Sequence, residues 1–246
     1  MLIALLSDIH ANREALDACL AHADCARPDR YIFLGDYVGY GADPAYVVDR
    51  VEGYVAAGAV ALRGNHDDAI VGSSTGMNGP AHAAIAWTRG ELGERQRRFL
   101  SSLPFTHEED DRLFVHANAV APQGWGYVTD RFEAARSLMA TGCRCVLCGH
   151  LHVPGVYRMA PNRHVDEFTP RGGRAVPLSA DHRWLAVLGA VGQPRDRDPA
   201  ACYALLDDER DELTFVRVPY DVAKAAEKIR DAGLPPVLAS RLSEGR

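Results

Sequence analysis

Residues 2–10 read Leu2, Ile3, Ala4, Leu5, Leu6, Ser7, Asp8, Ile9, His10: five apolar residues in a row, then a hydroxyl, a carboxylate and an imidazole. A short apolar run that stops at polar residues marks a strand buried on both faces, as in a parallel sheet covered by helices. No basic region precedes it and no cleavage-site pattern comes after it, so it reads as a first strand and not as a leader. Next, Asn12 caps a helix in which Leu16, Cys19 and Leu20 share a face, closing near Arg27 and Pro28. Tyr31 to Leu34 is a second buried strand, which completes a βαβ unit. Another helix starts at Pro44 and passes Val47, Val48 and Val51 toward Gly58, leading into a third strand at Ala59 to Leu62. The first third of the chain is therefore α/β with a parallel sheet.

Outward from this unit, Asp67 to Leu103 has helical character, and Leu113 to Val115 and Cys145 to Leu147 are further buried strands. Beyond Gly149 the pattern turns to strands: Val156 to Met159, Val165 to Phe168, Trp184 to Val191, Cys202 to Leu206 and Leu213 to Val218. That half reads as a mixed or antiparallel sheet. Asp221 to Ala232 is an amphipathic helix with Ala225, Ile229 and Ala232 inward, followed by Gly233, Pro235, Pro236 and a polar tail. With no internal repeat and no long linker, residues 1–246 are expected to form one domain with a C-terminal helical segment from about 221 to 246.

The composition sets outer limits on function. The chain has 27 Lys plus Arg against 33 Asp plus Glu, a formal charge of −6. An acidic balance argues against tracking a long nucleic-acid backbone, which relies on clustered Lys and Arg. Hydrophobic residues at 47% and charged residues at 24% are the usage of a globular chain able to bury a core. No run of apolar residues is long enough to cross a bilayer, so no membrane partner is expected. Six scattered cysteines and no export signal predict a reduced, cytoplasmic setting.

The residues just beyond each strand carry the chemistry. Asp8 and His10 come after the first, Asp36 after the second, Asn65, His66 and Asp67 after the third, His116 at the end of the fourth, His150 and His152 after the fifth. In an open α/β sheet, side chains just beyond the carboxyl ends of the strands converge on one crevice. Seven of these residues are O or N donors suited to first-row divalent metals. That exceeds the needs of one tetrahedral ion, whereas two five- or six-coordinate ions sharing a carboxylate would use them all. Hard carboxylates and borderline imidazoles without thiolate point to Mn, Fe or Zn, with Ni and Mg as further options.

Asp8-Ile9-His10, Gly35-Asp36, Gly64-Asn65-His66-Asp67, Val115-His116 and Gly149-His150-Leu151-His152 together resemble the calcineurin-like metallophosphoesterase superfamily, whose five signature blocks occur in this order. Val191 to Asp196 resembles the small prokaryotic phosphodiesterase branch. The resemblance implies an α/β fold, a four-layer α/β/β/α sandwich with two central mixed β-sheets and a dinuclear centre at their carboxyl edge. It implies a first metal on Asp8, His10, Asp36 and His152 and a second on Asp36, Asn65, His116 and His150, with Asp36 bridging. A hydroxide held between the ions would attack phosphorus, His66 would be the general acid, and Asp67 would orient His66 or start the next helix. Many members carry a further Asp and an Arg after the second block; here Tyr37, Val38, Gly39 and Tyr40 stand there, which disfavours a phosphoprotein phosphatase. Arg195 is a substitute phosphate contact or a turn residue.

The expected activity is thus a metal-dependent phosphoric ester hydrolase, phosphodiesterase ahead of phosphatase. Its expected substrate is a small phosphoester such as a nucleotide or a dinucleoside polyphosphate. Two readings compete with it. A non-catalytic scaffold of the same fold would bind proteins and have no use for His66. A serine hydrolase would use Ser74 in Gly72 to Gly76, a nucleophile-elbow pattern that lacks the required preceding strand and reads as a loop. Cys143, Cys145 and Cys148 lack paired zinc spacing and read as buried thiols. Tyr40, Trp125 and Tyr127 form either an apolar wall for a substrate base or ordinary packing.

Overall fold

The computed structural model describes residues 1–72 and 76–246. The Ser74 elbow pattern lies outside the described residues. The chain opens with β1 (Leu2–Leu6), α1 (Arg13–Ala26), β2 (Arg30–Phe33), α2 (Pro44–Ala56) and β3 (Val60–Ala61). Three helices follow, α3 (Asn65–Val71), α4 (Gly79–Glu91) and α5 (Glu94–Ser102), then β4 (Thr106–Glu109), β5 (Arg112–Val115), α6 (Arg131–Met139) and β6 (Cys145–Cys148). The remainder is β7 (Gly155–Met159), β8 (Val165–Phe168), β9 (Ala175–Pro177), β10 (Arg183–Val187), β11 (Ala201–Asp207), β12 (Glu212–Val218), α7 (Val222–Asp231) and α8 (Pro236–Glu244).

Two six-stranded sheets result, in the orders β3-β2-β1-β11-β12-β9 and β4-β5-β6-β10-β7-β8. Both are mixed: β1, β2 and β3 are parallel while β11 runs against β1, and β5, β6 and β10 are parallel while β4 and β7 run against them. The pleat dictates the layers, because successive side chains point to opposite faces. Ile3 and Leu5 of β1 meet Cys145 and Leu147 of β6 and Trp184 and Ala186 of β10 between the sheets. Ala4 and Leu6 point the other way, onto Leu16, Cys19 and Leu20 of α1 and Val47, Val48 and Val51 of α2. Val146 and Cys148 pack outward on Ala134 and Leu138 of α6. Helix, sheet, sheet, helix is the four-layer sandwich expected.

The first βαβ unit forms as its residues dictate. The Asn12 side chain accepts the Ala15 N–H at 3.1 Å to cap α1, and Pro44 opens α2. The second half departs from a sheet of its own. Strands β7, β8 and β10 extend the β6 sheet, whereas β9, β11 and β12 extend the β1 sheet. Strand β11 is buried on both faces, with Ala201 and Tyr203 toward α1 and Cys202, Ala204 and Leu206 toward the other sheet, so it needs a central place. The strand expected over Trp184 to Val191 ends at Val187, where the chain turns through Gly189 at φ +82°. The polar tail forms α8, which buries Leu238, Ala239 and Leu242 against α7.

Candidate metal centre

The backbone beyond the strand ends is bent in an unusual way. Asp8 N–H donates to the Gly35 carbonyl at 3.0 Å and His10 N–H to that of Asp36 at 2.9 Å, so the loops after β1 and β2 stay laced together past the sheet. Asp8, His10, Asp36, His150 and His152 all have positive φ, between 50° and 68°. A left-handed backbone at a side chain other than glycine costs about 1 kcal/mol or more, and such residues collect at functional sites where surrounding structure enforces them. Gly149 shows how tightly the loops approach: a Cβ there would strike Ser7 Oγ and Asp8 Oδ2.

These bends bring the seven strand-end donors together. Asp8, His10, Asp36 and His152 form one group and Asp36, His116 and His150 a second, and all are buried. His152 Nε2 lies 3.2 Å from Asp8 Oδ1, and His10 Nε2 lies 3.7 Å from Asp36 Oδ2. On the other side His116 Nε2 is 3.3 Å from Asp36 Oδ2 and 3.2 Å from both Asn65 Oδ1 and His150 Nδ1. Asp36 Oδ2 therefore faces both groups.

The outer nitrogens of the four imidazoles fix what the inner ones can do. Carbonyl oxygens only accept, so His10 Nδ1–H donates to Val38 (3.0 Å), His116 Nδ1–H to Leu34 (2.8 Å), His152 Nδ1–H to Gln193 (2.7 Å) and His150 Nε2–H to Trp125 (2.9 Å). In each neutral ring the inward nitrogen is then a bare lone pair. His10 Nε2 and His152 Nε2 face each other at 3.1 Å, an arrangement that two lone pairs need a cation to satisfy. Asp8 Oδ1 and Asp36 Oδ2 are buried without a hydrogen-bond partner among the described residues. Their other oxygens are held: Asp8 Oδ2 accepts from Ser7 Oγ–H (2.7 Å) and His150 N–H (2.9 Å), and Asp36 Oδ1 from His66 N–H (2.8 Å). Lone pairs and orphaned carboxylate oxygens pointing inward fit divalent cations.

Electrostatics agree. Burial pushes His10 down and His150 down to about 3, the latter helped by His116. Burial also opposes an imidazolium at His116, but Asp36 outweighs it and pushes His116 up to about 9. Burial opposes the charge on Asp8 and Asp36 as well, yet His152 and His116 beside them hold both carboxyls below the ordinary range. The inward end of His116 thus attracts a positive charge, which a metal supplies as well as a proton.

The model of the calcineurin-like phosphoesterase superfamily domain matches residues 1–211. The chain belongs to that superfamily. A metallophosphoesterase from Sphaerobacter thermophilus is 35% identical, superposes with a TM-score of 0.88 and is matched over 100% of this chain and 99% of that one. An uncharacterized protein of Methanocaldococcus jannaschii is 34% identical over 100% of this chain and 98% of its own. A hypothetical protein of Pyrococcus horikoshii shares the fold at 19% identity, with a TM-score of 0.83 over 100% of this chain and 98% of that one.

Beside the donor groups of this calcineurin-like chain lies a cleft of about 400 Å³. His66, Arg195, Tyr40, Trp125 and Tyr127 line it, together with Met77, Asn78 and Ala81. His66 packs edge-on against Tyr40 at 4.5 Å and His10 at 4.8 Å between ring centroids. Its Nδ1 is buried without a partner among the described residues, and burial pushes the imidazole down to about 4. Asp67, expected either to orient His66 or to start a helix, has both oxygens on backbone: Oδ2 accepts from Asp36 (2.7 Å) and Gly64 (2.9 Å) N–H, Oδ1 from Tyr37 N–H (2.9 Å). Burial and the neighbouring Asp36 push its carboxyl up to about 8, while the Gly64 and Asp36 N–H groups act against that.

Arg195 N–H donates to the His152 carbonyl (3.1 Å) and Nη2–H to Gln193 Oε1 (3.0 Å), leaving its Nε buried and unpartnered among the described residues. Cys145 faces the inter-sheet core and Cys143 and Cys148 face α6, away from the donors. The four backbone carbonyls that tether the imidazoles, and Ser7 behind Asp8, are functional groups that sequence reasoning missed. Only Ser7, next to Asp8, offered a side-chain signal.

Proposed function

We propose that the protein is a phosphodiesterase with a dinuclear metal centre, acting on small phosphoesters such as nucleotides or dinucleoside polyphosphates. Asp8, His10, Asp36 and His152 would hold one ion and Asp36, Asn65, His116 and His150 the other. The observation that carries this reading is the orphaned Asp36 Oδ2, which faces imidazole nitrogens of both groups. When bound, divalent ions there would acidify a coordinated water and neutralise charge on the phosphoryl oxygens. The donor set of carboxylate, imidazole and amide suits Mn²⁺ first, with Fe, Zn, Ni and Mg as alternatives.

The chain's own residues do the rest. Arg195, which lines the cleft, binds a phosphoryl oxygen in place of the Arg missing after Asp36. His66 gives a proton to the leaving oxygen; the bound anion offsets the burial that disfavours its imidazolium. Asp67 is a positioning residue that clamps the Asp36 loop to the start of α3. Tyr40, Ala81 and Ala84 pack with α7 and α8, which supports one functional domain over 1–246. No helix among the described residues is long and apolar enough to cross a membrane, and six unpaired cysteines suit a reducing cytoplasm.

The test is elemental analysis paired with turnover of a phosphodiester and a phosphomonoester, before and after chelation and Mn²⁺ addition. The reading expects about two metals per chain and chelator-sensitive cleavage of the diester. Metal without turnover of either ester would point to a scaffold, and absence of metal binding would end the metalloenzyme reading.

A further inference from the structure

The cleft is more than a cradle for a phosphoryl group. Its volume of about 400 Å³ lies in the range of sites that enclose whole small molecules, ~300–1,000 Å³. One wall is aromatic. Tyr127 stacks on the His150 ring with centroids 4.1 Å apart and planes 12° from parallel, yet it is 48% exposed. One face of the phenol is thus covered by a metal-centre imidazole, while the residue still reaches solvent.

This exposure is not that of a loose surface ring. Asn118 Nδ2–H donates to the Gly126 carbonyl at 2.7 Å, and the Trp125 carbonyl takes the His150 Nε2–H. Trp125 itself sits at φ +54°, with its ring 5.8 Å from Phe105 and 5.9 Å from His116. The segment is pinned at both residues that precede Tyr127, one of them by a left-handed backbone. A rigid, half-covered aromatic beside the donor groups that would hold a phosphate is what a planar ring needs to stack upon.

We infer that Tyr127, backed by His150, is a stacking ledge for the nucleobase of a nucleotide whose phosphate lies at the donor groups. The inference rests on the phosphoester reading and adds to it the residue that would select for a base. Met77 and Ala81, which also line the cleft, offer apolar contact and Asn78 an amide to the same ligand. An alkyl group gains little from a flat ledge open to water, so the ledge selects for planar bases of either kind.

The test uses the metal-loaded full chain and two phosphates that differ only in the group they carry, thymidine monophosphate and methyl phosphate, with binding read by calorimetry. The nucleotide is expected to bind about tenfold tighter or more. Tyr127→Ala should erase that advantage, Tyr127→Phe should keep it, and metal content should hold in both. Equal affinity of the two phosphates for the parent protein overturns the ledge. So does a Tyr127→Ala variant that weakens both alike, because Tyr127 would then only support His150. If neither phosphate binds the metal-loaded chain, the phosphoester reading itself falls.

Discussion

Asp36 and His66 separate two kinds of dependence on the same site. Asp36→Asn keeps the shape but removes the charge that faces both donor groups, so metal content measured by elemental analysis should fall well below that of the parent, with activity lost in step. His66→Ala leaves every donor in place. It should retain metal while kcat drops about 10²- to 10⁴-fold, and an unchanged kcat would remove His66 from the reaction. The donors were legible in the sequence because each comes just after a strand, and topology gathers strand ends. Their tethers were not, since Val38, Leu34, Trp125 and Gln193 act through carbonyls that every residue possesses. The left-handed backbone at Asp8, His10, Asp36, His150 and His152 was equally hidden, because none is a glycine.

Among the elements, those with strong signatures were read correctly and those at the margins were not. Caps, prolines and apolar runs announced α1, α2, β1 and β2. Strand β4 carries Thr106, His107, Glu108 and Glu109, polar throughout, and β9 has three residues; pairing partners make them strands, and no local pattern announces that. Helix α8 lies within the helical segment expected from about 221 to 246, but the polar residues among its buried Leu238, Ala239 and Leu242 hid its separate start at Pro236. The polar β4 has a structural use. Glu109 accepts two hydrogen bonds from Arg30 of β2, at 2.8 and 2.7 Å, and one from His107 at 3.0 Å, fastening one sheet to the other. His107 and then Arg30 hold the Glu109 carboxyl below its ordinary value of 4.5, while partial burial works the other way. A depressed carboxyl adds stability above its unfolded pKa, and loses it as pH falls through the folded one. Glu109→Gln should therefore cost about 1 kcal/mol at neutral pH and nothing once acid has protonated the parent. Denaturant midpoints for both proteins from pH 7 to pH 3 should converge.

For the molecule as a whole, the sandwich and its cleft were legible but the sharing of strands between sheets was not. Alternation says that β11 has two buried faces; it does not name the neighbour that it buries them beside. The loop after β1 and residues 191–193 meet at the centre as a result. Val191 and Gly192 N–H donate to Ser7 and Asp8 carbonyls at 2.9 and 2.8 Å, and Gln193 holds His152. Metal that binds only this assembled state should stabilise the entire fold, by about 2.7 kcal/mol at a hundredfold excess over Kd. Thermal unfolding with and without chelator should show one cooperative transition that moves down on metal removal; an unmoved midpoint would mean that the centre contributes nothing to the fold.

The pairing of β1 with β11, Leu2 opposite Asp207 through Leu5 opposite Ala204, also sets a timetable for biosynthesis. Strand β1 waits for β11, made about 200 residues later, before its second edge is covered. At about 5–20 residues per second, the roughly 200 intervening residues take about 10–40 s, during which an apolar strand edge stands open. Nascent chains stalled before residue 195 should remain protease-sensitive and chaperone-bound, and released full-length chains should become resistant in a single step. For this protein, the core between the two sheets closes only after β11 has been made.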